Sequence, residues 1–361
     1  MACLVLRHIP GLGPRSWKRL YENFDSPIQA LKAPQTWREM GISKRAIAAF
    51  LKGEGEIEAQ KEYQALSSLK VIPLTLWDED YPPLLREIPD PPIVLYLQGD
   101  PSLLSVPHVA LVGARNASEW GRAFAYRLGK ELSARGICVV SGLARGIDAS
   151  AHRGGLCGVA STIAVLGTGI GVSYPRINLP LRRDIERKGL LLSEFAPWTP
   201  PSPENFPLRN RIISGLSLAV VVVEATKKSG GLITARKALE QNRAVFAVPA
   251  RPDQKNFEGN NALIREGAIL LRDVNDIMEE IAPMVELTNG PLSPCGDRKE
   301  GDGELEGEDG ELLGLIRSRG RCSVEEIIEE LGHDPARVMS SLVMLEIKGY
   351  VRKTPLGYEP C

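Results

Sequence analysis

Four short stretches hold glycine, hydroxyl and cationic residues at spacings that suit an anion. They are Gly113-Ala114-Arg115, Ser141-Gly142, Gly167-Thr168-Gly169 and Ala225-Thr226-Lys227-Lys228-Ser229-Gly230-Gly231. Glycine permits close backbone approach, and N–H and hydroxyl groups hold phosphate oxygens. Arg115 and Lys227 or Lys228 supply charge. Ser141-Gly142 continues through Arg145, Asp148 and His152. A helix beginning near Ala144 would bring those three onto one face at i, i+3 and i+7, as a polar pocket. The same residues could instead close the turn on itself, with Arg145 paired to Asp148 and His152 capped. A further basic element is Phe206-Pro207-Leu208-Arg209-Asn210-Arg211, just before an apolar helix. Two arginines and an amide beside an exposed aromatic suit a nucleic-acid backbone with a stacked base. Alternatively both arginines pair with Glu194 and Glu204 inside the fold, and Phe206 is core.

The elements that must position these residues follow from the apolar pattern. Short runs at Val109–Val112, Ile137–Val140, Thr162–Leu166, Leu190–Leu192, Leu218–Val223 and Ala244–Val248 alternate with amphipathic segments such as Ser118–Ala134. Buried strands separated by helices predict a parallel sheet covered on both faces, a doubly wound, Rossmann-like α/β fold. The glycine and cation stretches all fall at strand ends, where such sheets bind ligands near the switch point. Gly113-Ala114-Arg115 is not the G-x-G-x-x-G dinucleotide fingerprint, Gly167 to Gly171 has the wrong spacing, and no Walker A lysine motif occurs. NAD and ATP are therefore poor candidates. No cofactor, metal site or catalytic residue is expected.

On either side lie segments of different composition. Residues 1–72 read as a small helical domain of helix-hairpin-helix or SAM-like type. In it, Ile9-Pro10-Gly11-Leu12-Gly13-Pro14 opens a helix, with a mild basic bias of about 11 Lys/Arg to about 7 Asp/Glu. Residues 73–106 form a proline-rich connector in which Ile93–Leu97 reads as an edge strand. The central domain, 107–285, is net basic, with about 23 Lys/Arg against about 16 Asp/Glu. Residues 286–310 are an acidic, Gly-rich linker that cannot bury a core. Residues 311–361 have a winged-helix pattern, with a capping box at Ser323–Glu326 and a wing carrying Arg352 and Lys353. Its third helix carries only Arg337 and Lys348 as cations, which argues against ordinary duplex reading and for protein interaction or dimer support.

The whole chain has 361 residues, 43% of them hydrophobic and 25% charged, with a formal net charge of −1. These values are those of a soluble globular protein with room for several domains. Arg7 and Pro10 interrupt the N-terminal apolar stretch, so no signal peptide is expected. The run at Leu218–Val223 is too short to span a membrane. Six scattered cysteines without a C-x-x-C pair indicate neither a zinc site nor a disulfide framework and suit a cytoplasmic location. Cys138 and Cys157 read as small core residues.

Taken together, these motifs resemble the DNA-processing protein A family (DprA, or Smf). The match runs through Val112-Gly113-Ala114-Arg115, Ser141 to His152, Thr162 to Gly167, Phe206-Pro207-x-Arg209-Asn210-Arg211-Ile212-Ile213-Ser214-Gly215, and Val223-Glu224-Ala225 with Ser229-Gly230 and Leu232 to Ala235. The resemblance implies a non-catalytic protein that binds single-stranded DNA in a basic pocket, forms a homodimer and helps load RecA recombinase during DNA uptake. It implies that Arg115 contacts DNA, with a similar part for a lysine after Glu224. Asp148, His152 and Glu224 would build the pocket. Three positions depart from the family's pattern: Gly171 for a frequent aspartate, Gly231 for a serine and Ala250 for a glycine. The alternative is a nucleotide-binding enzyme of phosphoribohydrolase type, suggested by Ser229–Thr234. Lys237 stands where those enzymes need a carboxylate, so Asp148 or Glu224 would have to substitute. A winged-helix regulator with the central domain as sensor is a third reading.

Overall fold

The structure is a computed structural model and describes residues 1–289, 308–319, 322–347, 350–354 and 357–360. It divides into two compact units, Met1–Leu292 and Ser293–Cys361. In chain order the first unit begins with five helices: α1 (Ala2–His8), α2 (Pro14–Asn23), α3 (Pro27–Lys32), α4 (Lys44–Leu51) and α5 (Glu56–Leu69). Next come β1 (Ile72–Thr75), α6 (Pro83–Glu87) and β2 (Val94–Gly99). The alternating part follows as β3 (His108–Gly113), α7 (Glu119–Ala134), β4 (Cys138–Ser141), α8 (Ile147–Gly155), β5 (Thr162–Val165), α9 (Leu179–Lys188) and β6 (Leu190–Ser193). It ends with α10 (Asn205–Leu216), β7 (Ala219–Glu224), α11 (Gly230–Glu240), β8 (Ala244–Ala247), α12 (Glu258–Arg265), β9 (Ile269–Leu270) and α13 (Val274–Asn289).

All nine strands join one sheet in the order β1-β2-β6-β5-β4-β3-β7-β8-β9. From β3 the chain winds outward through β4, β5 and β6, then returns to the other side of β3 as β7. Neighbours β3/β4, β4/β5, β5/β6, β3/β7, β7/β8 and β8/β9 are parallel. The reversal point is therefore the β3/β7 pair, as a doubly wound sheet requires. The run expected at the edge is not there. β2 lies antiparallel between β6 and β1, and β1 covers its outer side.

Side chains alternate between faces at the strand period of two. In β3, Ala110 and Val112 join one core cluster, while Val109 and Leu111 join another across the sheet; β7 divides likewise, Val220 and Val222 against Val221 and Val223. Continuous apolar runs are thus buried on both sides. The N-terminal helices do not build a core of their own. Leu6, Leu20 and Trp37 share one cluster with Tyr96, Ala164 and Leu191 of the sheet. Burying one apolar stripe per short helix needs a larger surface, and β2, β5 and β6 supply it.

The second unit has α14 (Glu308–Arg319), α15 (Val324–Leu331), α16 (Pro335–Ile347) and the hairpin β10 (Val351–Thr354) to β11 (Gly357–Pro360). Its capping box is formed: Ser323 Oγ accepts from Glu326 N (3.2 Å), and Glu326 Oε2 accepts from Ser323 N (2.7 Å). Leu313, Ile316, Ile327, Leu342 and Tyr358 make its core. Lys348, the side chains of Arg352 and Lys353, and the linker from residue 290 to 307 lie outside the described residues. No helix among the described residues is long and apolar enough to cross a membrane. Of the cysteines expected in the core, Cys138 is buried but Cys157 is exposed, 3.4 Å from the Tyr126 hydroxyl.

Because α2 shares its core with the sheet, Leu20→Ala should cost about 2–5 kcal/mol. That loss should appear in the same unfolding transition as the strands. Denaturant-dependent hydrogen exchange of β5 amides checks this; unshifted β5 exchange would mean that the helices fold separately.

Candidate nucleic-acid interface

At the carboxyl ends of β3 and β7 the structure opens a cleft of about 790 Å³. The pairing of the two strands slips between Val112 and Gly113, so that Gly113 lies beside Glu224 and Ala114 N donates to Glu224 O (2.7 Å). The slip turns the chain out of the sheet and sends Arg115 to the rim. Gly113 has no room for a side chain: a Cβ would lie 2.7 Å from Ile147 Cγ1. Across the cleft, α11 begins at Gly230, with Ser229 as its N-cap and no side-chain cap bond. Its first N–H groups lack intrahelical partners, and nothing lies within 4 Å of a Cβ built on Gly230. An open helix N-terminus of this kind receives a phosphate.

The exposed Arg115 lies over the Phe206 ring, 5.5 Å from its centroid, and Phe206 in turn packs against Tyr174 at 5.7 Å. Phe206 sits in the first turn of α10, and Gly167 fits beneath it, since a Cβ there would lie 2.5 Å from the ring. Deeper in the same helix Arg209 is buried, donating to Gly142 O (2.8 Å) and to Val165 O. Its guanidinium lies so close to Gly142 that a Cβ there would be 2.5–2.7 Å away. Burial lowers the Arg209 pKa to about 10, against the attraction of Asp148; it remains a cation at neutral pH. Asn210 Oδ1 accepts from Arg209 Nε (3.2 Å), which leaves the Asn210 amide nitrogen for a ligand.

The Ser141–His152 stretch does not form one polar face. Helix α8 starts at Ile147 rather than Ala144, with Gly146 at φ +79° as its N-cap. Arg145 therefore precedes the helix and is exposed, whereas Asp148 and His152 turn inward. Asp148 Oδ2 accepts from Gly142 N (3.2 Å) and Ala144 N (3.3 Å), and burial pushes its carboxyl pKa up despite Arg209. His152 Nε2 accepts from Leu143 N (3.2 Å), while its Nδ1 meets Thr162 Oγ1 (2.7 Å). The Thr162 hydroxyl already donates to Val139 O (2.6 Å), so the imidazole is neutral with its proton on Nδ1. The turn itself is made by Leu143 at φ +56°, a strained conformation for leucine. Gly142 is thus glycine for space beside Arg209, and Leu143 carries the bend.

Of the residues singled out from sequence, Gly113, Ala114, Arg115, Asp148, Arg209, Asn210, Ser229 and Gly230 line the cleft. The others do not. Ser141 is buried, its hydroxyl donating to Leu111 O (2.6 Å). Arg211 is buried in ion pairs with Glu194 and with Asp90 (3.5 Å). Lys227 is exposed and pairs with Glu258 (3.6 Å), and Lys228 is exposed outside the lining. Glu224 accepts from Ser118 N (3.0 Å) and from Ser118 Oγ (2.6 Å), capping α7. Both carboxylates proposed as acid–base substitutes are therefore held by the fold's own donors. Thr226, Gly231 and Thr234, from the stretches read as anion-binding, also line the cleft, and Tyr174 and Asn116 line it without having been foreseen. Tyr174 follows the Gly167–Gly171 loop in an aromatic–proline pair, a signal too common to single out. Among the departures, Gly171 has Trp198 2.7 Å from a built Cβ, which leaves no space for an aspartate; Gly231 is 3.3 Å from Gly113. No group of three metal-ligating side chains occurs among the described residues.

A switch-point cleft with an open helix N-terminus and an arginine–aromatic rim defines a Rossmann-type protein whose cleft is suited to a phosphate-bearing ligand. Comparison with known proteins narrows the class. Residues 73–282 match the model of the DNA recombination-mediator protein A family, and residues 298–355 match the DprA winged helix domain. Protein Smf of Escherichia coli is 38% identical over 286 residues, 78% of this chain and 75% of its own. DNA processing protein DprA of Bacillus subtilis is 41% identical over 240 residues, 65% of this chain and 80% of its own. Among solved structures, DprA of Streptococcus pneumoniae superposes with a TM-score of 0.67 at 34% identity, covering 76% of this chain and 95% of its own. DNA processing protein A of Helicobacter pylori, described for its single-stranded DNA binding mode, gives a TM-score of 0.54 at 29% identity, covering 60% and 97%. The chain belongs to the DNA recombination-mediator protein A family.

The buried imidazoles give the fold an acid sensitivity. Burial lowers the pKa of His152 to about 3 and that of His108 to about 4. Near pH 5 the unfolded chain binds both protons and the folded chain binds neither, so stability falls as pH drops from about 6.5 toward 4. The slope should approach ~1.4 kcal/mol per pH unit for each histidine. His152→Gln should lower stability at pH 7 yet flatten the slope by up to one proton. Urea unfolding midpoints across pH measure it, and an unchanged slope would mean that His152 is not the neutral group.

Proposed function

We propose that this chain binds single-stranded DNA in the β3–β7 cleft and, as a homodimer, delivers it to RecA recombinase. One observation carries the DNA reading: Arg115 lies over Phe206 at the rim of a cleft whose opposite wall is the open N-terminus of α11. The Arg115 guanidinium, backed by the Phe206 ring, offers its outer plane to the face of an unpaired base, a stacking contact worth roughly 1–3 kcal/mol. The N–H groups of Gly230 and Gly231, with Arg115, take the adjoining phosphate. Duplex DNA offers no free base face, so the arrangement favours single strands. The binding mode named for the Helicobacter pylori relative supports the reading. Delivery to RecA and the homodimer rest on family membership, and the second unit is assigned to protein contacts.

Anisotropy of labelled single-stranded and duplex oligonucleotides across a salt series tests the DNA part. Affinity should fall steeply with salt and favour the single strand. Arg115→Ala should weaken binding about 10- to 100-fold, the loss of one charged and stacking contact worth roughly 1–3 kcal/mol. Gly167→Ala, which pushes Phe206 off its seat without changing charge, should weaken binding while leaving the salt slope intact. Binding indifferent to both substitutions would put DNA elsewhere on the chain. RecA delivery is checked by RecA filament growth on DNA already coated with single-strand-binding protein, which the wild type should accelerate and Arg115→Ala should not.

A further inference from the structure

Beyond Arg115 the surface sinks into a second depression of about 440 Å³. Four arginines line it, Arg115, Arg122, Arg145 and Arg153, and no carboxylate does. None of the four makes an ion pair among the described residues. Like charges gathered in one concavity repel, and an anion with several charges at matching spacing relieves them most.

The arginines stand on fixed supports. Arg122 lies in the first turn of α7, and its Nη1 donates to Ala117 O (2.6 Å). Arg145 rides on the strained turn, whose Leu143 and Ala144 carbonyls accept from Asn178 Nδ2 at 2.9 and 3.1 Å. Arg153 is in the last turn of α8. Side chains presented from rigid elements lose less entropy on meeting a ligand than those on mobile loops. Two features fix what the ligand offers. Arg115 and Asn116 line both depressions, so the second continues the first. No aromatic side chain lines the second, unlike the first with Phe206 and Tyr174. Without a stacking platform it reads charge and not bases.

We infer that the Arg122–Arg145–Arg153 depression is a backbone subsite that holds successive phosphates of the DNA strand whose base is stacked at Phe206. The inference rests on the DNA reading above and adds the path of the strand, across the α7–α8 face with Arg115 as the shared contact. It also accounts for Arg145, which the first cleft leaves out.

The test compares the full chain with an Arg145→Ala/Arg153→Ala variant and an Arg236→Ala control, using oligothymidines from about 4 to about 20 nucleotides, the range of single-strand site sizes. Both target side chains are exposed and unpaired, so the fold should survive; circular dichroism and the unfolding midpoint verify this. For the wild type, affinity should rise with length and then level off. For the double variant the shortest oligomer should bind as before. The longest should bind about 10-fold or more weakly, with a salt slope shallower by about 1.4, from about 0.7 per phosphate contact. The control should match the wild type. Equal weakening at every length, or none at any length, would overturn the subsite while leaving DNA in the first cleft. A wild type that binds no single strand at all would overturn the DNA reading itself, and the Arg115→Ala comparison separates these failures.

Discussion

The structure around the site depends on a buried cation. Arg209 reaches from α10 under the ends of β4 and β5 and spends its donors on the carbonyls of Gly142 and Val165. Gly142 follows the last residue of β4 and Val165 is the last residue of β5, where the chain leaves the sheet. One guanidinium nitrogen, Nη1, donates to both carbonyls at once, and Nε donates to Asn210 Oδ1. Asp148 supplies the nearby negative charge and is itself occupied by the amides of the same turn. The two charges attract each other without a direct ion pair.

That interaction sets the shape of what surrounds it. Gly142 must be glycine to leave room for the guanidinium, so the bend passes to Leu143, which takes a left-handed conformation at a cost of order 1 kcal/mol. His152, Asn178 and Asp148 hold the strained turn from three sides. A turn held that firmly presents Arg145 outward at a fixed place, and it ends against Ala114, whose carbonyl would lie 2.2 Å from a Cβ on Gly146. The Arg115 loop and the Arg145 turn are therefore packed backbone against backbone. Their two depressions form one continuous basic surface because Arg115 and Asn116 line both.

The parallel strands β3 to β8 and the location of the cleft at their carboxyl ends were legible in the sequence, because short apolar runs between amphipathic segments have few other ways to bury both faces, whereas β1 and β9 were not read. The Arg115 and Ser229-Gly230 contributions were legible for the same reason: a residue just past a parallel strand has only one place to go. The directions of Arg209, Arg211 and Lys227 were not. Two arginines at i and i+2 of one helix point about 200° apart around its axis, so Arg209 points beneath the cleft while Arg211 enters a separate cluster with Glu194. Nor was the shared core of the N-terminal helices visible, since an amphipathic stripe says that it needs a partner and not which one.

By itself, the sequence determined the class of fold, the places where a phosphate could be met and the family to which the chain belongs, for these depend on local pattern and on motif residues read in order. Only the tertiary structure decided which charges remain available to a ligand. Arg209 and Asp148 are spent on backbone groups, Arg211 on Glu194 and Asp90, and Glu224 on Ser118, whereas Arg115, Arg122, Arg145 and Arg153 make no ion pair among the described residues. Whether a cation meets a carbonyl, a carboxylate or open solvent is settled by residues tens to hundreds of positions away. Electrostatic energy depends on distance in space and on burial, neither of which a linear spacing contains.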